Sequence, residues 1–158
     1  MYSKSNRHGN SFSFNSIIIL IFIEFSLLII QFILGMWMNL FAVYPNIHSS
    51  SYGTFSGMRG MFSVMQAMFS VPELMVHMMM GVLILFISLI ILILTIVRGN
   101  PALIILGFIA FVSIAVAGIG GMEFVLSGFS NNVFSFMMSL GFLFTVVSYA
   151  LSLYFIHQ

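Results

Sequence analysis

The stretch PELMVHMMMGVLILFISLIILILTIV, from Pro72 to Val97, decides the fold. As a helix rising about 1.5 Å per residue it crosses the ~30 Å hydrocarbon core of a bilayer. Its one charged residue, Glu73, sits in the first turn beside Pro72, a position where helices accept proline. Three further stretches have the same character: Ile17–Val43, Ala102–Leu126 and Asn132–Ile156. The sequence therefore predicts an all-α fold, a four-helix transmembrane bundle. Residues 1–16 form an N-terminal tail, residues 17–158 the membrane domain, and residues 44–71 a longer outer loop between helices one and two.

Composition excludes the alternative of a soluble domain. Of the 158 residues, 61% are hydrophobic and 4% charged, and the mean hydropathy is +1.21. A soluble domain carries roughly a quarter of its residues as charges. The turns Arg98-Gly99-Asn100-Pro101 and Ser127-Gly128-Phe129-Ser130-Asn131 are short, so spans two, three and four are expected to be antiparallel neighbours. The apolar run from Ile17 continues to Leu40 and outlasts the core of a cleavable leader, so it is expected to be retained. Lys4, Arg7 and Arg98 fall on one side and Arg59 on the other, which predicts a multi-pass cell-membrane protein with both termini cytoplasmic.

The same counts remove several function classes. A net charge of +1 without a basic run gives nucleic acid no footing. Cysteine is absent, and with it disulfides and thiolate metal sites. The chain has no aspartate, so no Ser-His-Asp set can be assembled, and no phosphate loop or zinc-ligand cluster is present. Hydrolytic catalysis is not expected, and no catalytic residue is assigned. The outer loop carries Met58, Met61, Met65 and Met68 on one helical face. Thioethers suit Cu(I), yet methionine is spread along the whole chain and reads as apolar filler, so no metal is assigned.

Polar groups inside hydrocarbon cost several kcal/mol unless partnered, so their positions carry the most information. In span one, Glu24, Leu28, Gln31, Gly35 and Asn39 fall within about 80° on a helical wheel. Glu73, His77, Gly81, Ser88 and Thr95 make a similar stripe in span two. Facing the stripes pairs Asn39 with Glu73, Gly35 with His77, Gln31 with Gly81 and Glu24 with Ser88. Ala110, Ala117 and Gly121 share a face of span three, with Gly121 at about the depth of His77. Span four offers Ser135 and Ser139, and a second small face of Gly141, Thr145, Ser148 and Ser152.

His77 then lies about 8 Å below the outer interface with glycines on two neighbouring helices. Those glycines permit either close helix packing or a flat ligand. Candidate cofactor-binding residues are His77, Gly35 and Gly121, with His48 of the outer loop as a cap. His8 and His157 are terminal and expected to be solvated. Glu24 reads either as a helix–helix hydrogen bond to Ser88 or a backbone carbonyl, or as a proton-relay or cation-coordinating carboxylate.

The run from Gln31 through Gly35, Met36, Asn39 and Leu40, then Pro45, then Leu74, His77 and Gly81, resembles a group of small prokaryotic four-span membrane proteins. That group has a Leu-Gly-Met-x-x-Asn-Leu signature and a second-span histidine, with Gly-Gly, Phe and Ser-Gly following the third span. Here the last part is Gly120-Gly121, Phe124 and Ser127-Gly128. The resemblance implies the four-span fold and no activity. The chain is also similar to one half of haem A synthase, which implies haem ligation by His77. Span four departs from that pattern in lacking a histidine. A second ligand would then be His48, Met138 or the His77 of another copy.

The expected function is a structural, assembly or accessory role in the membrane. One alternative is b-type haem or quinone binding with His77 as ligand, in an electron-transfer or oxidase-related protein. A second is proton or cation transport along Glu24, Gln31 and Glu73. The expected partners are lipid, and a further copy or a larger membrane complex.

Overall fold

In the computed structural model the chain is a bundle of four helices: α1 (Arg7–Phe41), α2 (Pro72–Arg98), α3 (Pro101–Leu126) and α4 (Asn132–Ile156). The structure describes residues 7–41, 65–66 and 69–156, with side chains from residue 15 onward. His48, Met58, Met61, Met68 and most of the 44–71 connection lie outside the described residues, so those expectations find no counterpart here. All four helices are long and apolar enough to cross a membrane.

The boundaries follow local chemistry. Pro72 and Pro101 open their helices, where the missing N–H costs nothing. Gly99 closes α2 with φ at 73°, its N–H donating to the carbonyls of Thr95 and Ile96. That left-handed turn suits glycine because it has no Cβ. Asn100 then caps α3, its Oδ1 accepting from the N–H of Ala102 at 3.0 Å and of Leu103 at 3.4 Å. Asn131 serves α4 similarly, through the N–H of Val133. The expected span of α1 began at Ile17, whereas the helix starts at Arg7. No proline interrupts residues 7–16, and a helix propagates cheaply from an apolar segment already formed.

The helices pack in a ring: α1 on α2, α2 on α3, α3 on α4, and α4 back on α1. The α3–α4 contact is the most extensive and the α1–α4 contact the least. Large apolar side chains such as Phe22, Ile33, Val82, Phe86, Ile105 and Leu143 point outward on all sides. This is the arrangement of a bundle whose solvent is lipid.

The α1–α2 seam has a definite period. On α1 the inward positions are Ile17, Ile21, Glu24, Leu28, Gln31, Gly35 and Met38; on α2 they are Leu74, His77, Gly81, Ile84, Ser88, Ile91 and Thr95. Steps of three and four alternate along both, which is the 3.5-residue repeat of a left-handed helix pair. This period corrects the outer end of the expected stripe. Counting at 3.6 residues per turn put Asn39 opposite Glu73, but Asn39 is exposed. The seam brings in Met38 instead, which packs with Val71, Leu74 and Val125.

Small residues set the α3–α4 contact. A Cβ on Gly141 would lie 2.5 Å from the carbonyl oxygen of Ser113 and 2.7 Å from the Cβ of Ala117. The two backbones approach as closely as they do because glycine stands there. Of the two polar faces expected on α4, Gly141, Thr145, Ser148 and Ser152 form the buried one. Ser139 is exposed and donates to the Ser135 carbonyl on its own helix.

Candidate functional site

Two polar layers interrupt the apolar seam. The first is built on His77. A Cβ on Gly35 would stand 3.2 Å from His77 Cε1 and 3.8 Å from Nδ1, so the imidazole occupies the notch that the glycine leaves. One step along, Gln31 lies against Gly81, and its Nε2 donates to the His77 carbonyl oxygen at 2.9 Å. The expected pairs Gly35–His77 and Gln31–Gly81 are both formed. His77 Nδ1 and Gln31 Oε1 are buried and accept or donate no hydrogen bond.

Gly121 does not join this layer. The nearest atom to a Cβ placed on it is Met138 Sδ at 3.4 Å, and no His77 atom lies within 4 Å. The reason is topological: α3 packs on α2 and α4 but not on α1, so Gly121 opens toward α4. Glu73 is half-buried in the first turn of α2, where a carboxylate complements the helix dipole.

The cross-helix bond from Gln31 is worth about 0.6 kcal/mol by the average for such bonds in membrane bundles. Gln31→Leu is therefore expected to lower the unfolding free energy by that modest amount, read by denaturant titration in detergent. A loss several times larger would mean that this layer carries the fold.

The second layer lies deeper. Continuing the seam from Gly35–His77 and Gln31–Gly81 sets Leu28 level with Ile84, Glu24 with Ser88, and Ile21 with Ile91. Glu24 and Ser88 are both fully buried. Tyr149 of α4, also fully buried, brings its hydroxyl beside both of them. Its ring meets Phe25 edge-on at 6.3 Å. Both Glu24 carboxyl oxygens are shielded from solvent and close no hydrogen bond, while the shielded Ser88 and Tyr149 hydroxyls lie against each other.

The neighbouring hydroxyls behave otherwise. Thr95 donates to the Leu92 carbonyl at 2.7 Å, Thr145 to Gly141 at 2.8 Å and Ser152 to Ser148 at 2.9 Å. These satisfy themselves on their own helices, as hydroxyls in membrane helices commonly do. Ser88 makes no such bond to its own helix and turns to Tyr149 instead. Apolar layers close the site on both sides: Leu28 with Ile84 toward His77, and Ile21 with Ile91 toward Arg98.

Tyr149 is the member that sequence reasoning missed. Its signal was available, since it adjoins the small face of Thr145, Ser148 and Ser152. A lone tyrosine among small residues has room to reach the bundle axis. Among the described residues no group of three or more His, Cys, Asp or Glu side chains could hold a metal ion. A groove of about 220 Å³ between α3 and α4, lined by Val112, Val116, Leu140 and Phe144 among others, is apolar and faces lipid.

No family model, curated protein or solved structure matches the chain.

Proposed function

We propose that this chain is a small multi-pass membrane protein that loads and releases a proton at Glu24 and so moves protons through its helix bundle. One observation carries the reading: a buried carboxyl on α1, Glu24, keeps both oxygens without a hydrogen bond, beside the hydroxyls of Ser88 on α2 and Tyr149 on α4. An intramembrane carboxyl is costly, and when it is kept it marks ion or proton handling more often than packing. A packing role is served by satisfied groups, as Thr95, Thr145 and Ser152 are satisfied. A carrier group needs the opposite: a carboxyl with free valences whose charge a proton removes.

The transport path differs from the expected stripe of Glu24, Gln31 and Glu73. Its centre is Glu24 with Ser88 and Tyr149, and the His77–Gln31 layer forms a polar antechamber about 10 Å away, seven residues along α1. Leu28 and Ile84 separate the two and act as a gate, since water must pass them to reach Glu24. The basic residues support placing the Phe41/Pro72 end outside the cell. Haem ligation draws less support, because the His77 ring itself fills the space beside Gly35 that a flat ligand would use.

The test is proton uptake into proteoliposomes driven by a potassium diffusion potential. Wild-type protein is expected to acidify the lumen well above the leak of empty liposomes, and Glu24→Gln is expected to fall to that leak. Equal uptake by the two proteins sinks the reading.

A further inference from the structure

The oxygen cluster also matches a second ligand. We propose that the Glu24–Ser88–Tyr149 site takes a small alkali cation, sodium or lithium, in competition with the proton. This rests on Glu24 being the ion-loading group, and it adds the identity of the second ion.

The donor set points there. Glu24 Oε1 and Oε2, Ser88 Oγ and Tyr149 Oη are all oxygens and are all buried, and both Glu24 oxygens are without a hydrogen-bond partner. Hard oxygen donors select hard cations, and the absence of nitrogen or sulfur from the set disfavours copper, nickel or zinc. Charge narrows the choice further. The cluster holds one carboxylate, contributed by Glu24, so one monovalent cation neutralises it. A divalent ion would leave a net positive charge in an apolar surrounding, which burial strongly disfavours. Four donors are few, which favours sodium and lithium over the larger potassium ion.

The structure also gives the site its own closure. Leu28 and Ile84 on one side, and Ile21 and Ile91 on the other, are buried residues of the same core. An ion held between these layers is shielded from bulk water and is bound by the protein's own oxygens. Removing one oxygen while keeping the shape, by Ser88→Ala or Tyr149→Phe, weakens the cation more than the proton. The proton needs only Glu24.

The experiment is labelling of the purified protein in lipid by dicyclohexylcarbodiimide, which reacts with protonated carboxyl groups in apolar surroundings. Mass spectrometry reads the modified peptide, and Glu24→Gln sets the zero. In choline buffer Glu24 is expected to label. Sodium or lithium at about ten times the dissociation constant is expected to slow labelling about tenfold, by simple occupancy. Potassium and magnesium are expected to leave the rate unchanged. In Ser88→Ala and Tyr149→Phe the label still enters and the protection by sodium is reduced. Labelling that no sodium concentration slows overturns the cation site and leaves the proton reading in place. A wild-type protein in which Glu24 never labels overturns both.

Discussion

Glu24→Met is expected to raise the stability of the bundle while abolishing proton uptake. A buried polar group left without a hydrogen bond costs about 1–3 kcal/mol, and Glu24 places two carboxyl oxygens in that condition. Methionine keeps the unbranched shape and fills the same space with apolar atoms. The gain is therefore about 1–3 kcal/mol in unfolding free energy, measured by denaturant titration in mixed micelles. Stabilisation bought at the expense of activity is the usual mark of a residue kept for function. A structural role for Glu24 predicts the reverse sign, because a carboxyl that held helices together would be missed. The sign of one stability change therefore separates an ion-handling bundle from a purely structural one.

The second large effect is expected at Gly141. A methyl group there would meet the Ser113 carbonyl oxygen at 2.5 Å and the Ala117 Cβ at 2.7 Å. Ser113 O is backbone and Ala117 Cβ is fixed to it, so relief requires α3 and α4 to move apart. Overpacking of this kind costs about 1–3 kcal/mol, and Gly141→Ala is expected to lower the melting temperature in detergent accordingly. Gly141→Leu is expected to prevent the pair from docking. Gly118 supplies the control, since nothing lies within 4 Å of a Cβ placed there. Gly118→Ala is expected to leave stability unchanged or to raise it by up to about 1 kcal/mol through helix propensity. Equal losses at the two positions would contradict the close α3–α4 approach.

Much of this architecture was readable from the chain because few forces compete in lipid. Three apolar runs, two first-turn prolines and the Gly99–Asn100 turn define α2, α3 and α4 almost to the residue, while α1 begins ten residues before its apolar run. The facing of α1 and α2 followed from which side carried polar and small residues, and Gly35–His77 and Gln31–Gly81 meet as that pattern required. The errors arose where geometry accumulates. A wheel at 3.6 residues per turn and a seam at 3.5 diverge by about 20° per heptad. Counted over the two heptads from Glu24 the divergence reaches about 40°, which brings Met38 onto the seam and carries Asn39 off it. Gly121 was assigned by depth alone, and depth does not say which neighbour a face meets. Tyr149 adjoins the small face of α4, which marks it for burial, but which helices its hydroxyl meets depends on the ring order and not on local spacing.

The site joins these levels. Alternating three- and four-residue spacing puts Glu24 on the seam, the seam puts it level with Ser88, and the small face of α4 lets Tyr149 reach both. The apolar layers on either side then shield the carboxyl from water.

The most direct test is the infrared difference spectrum of the protein in lipid between acid and alkaline buffer. Proton exchange at Glu24 predicts a carbonyl stretching band of a protonated carboxyl in apolar surroundings. That band should interconvert with a carboxylate band, shift in heavy water, and be missing from Glu24→Gln. A wild-type spectrum without such a band, or one that Glu24→Gln leaves intact, would contradict proton loading at Glu24.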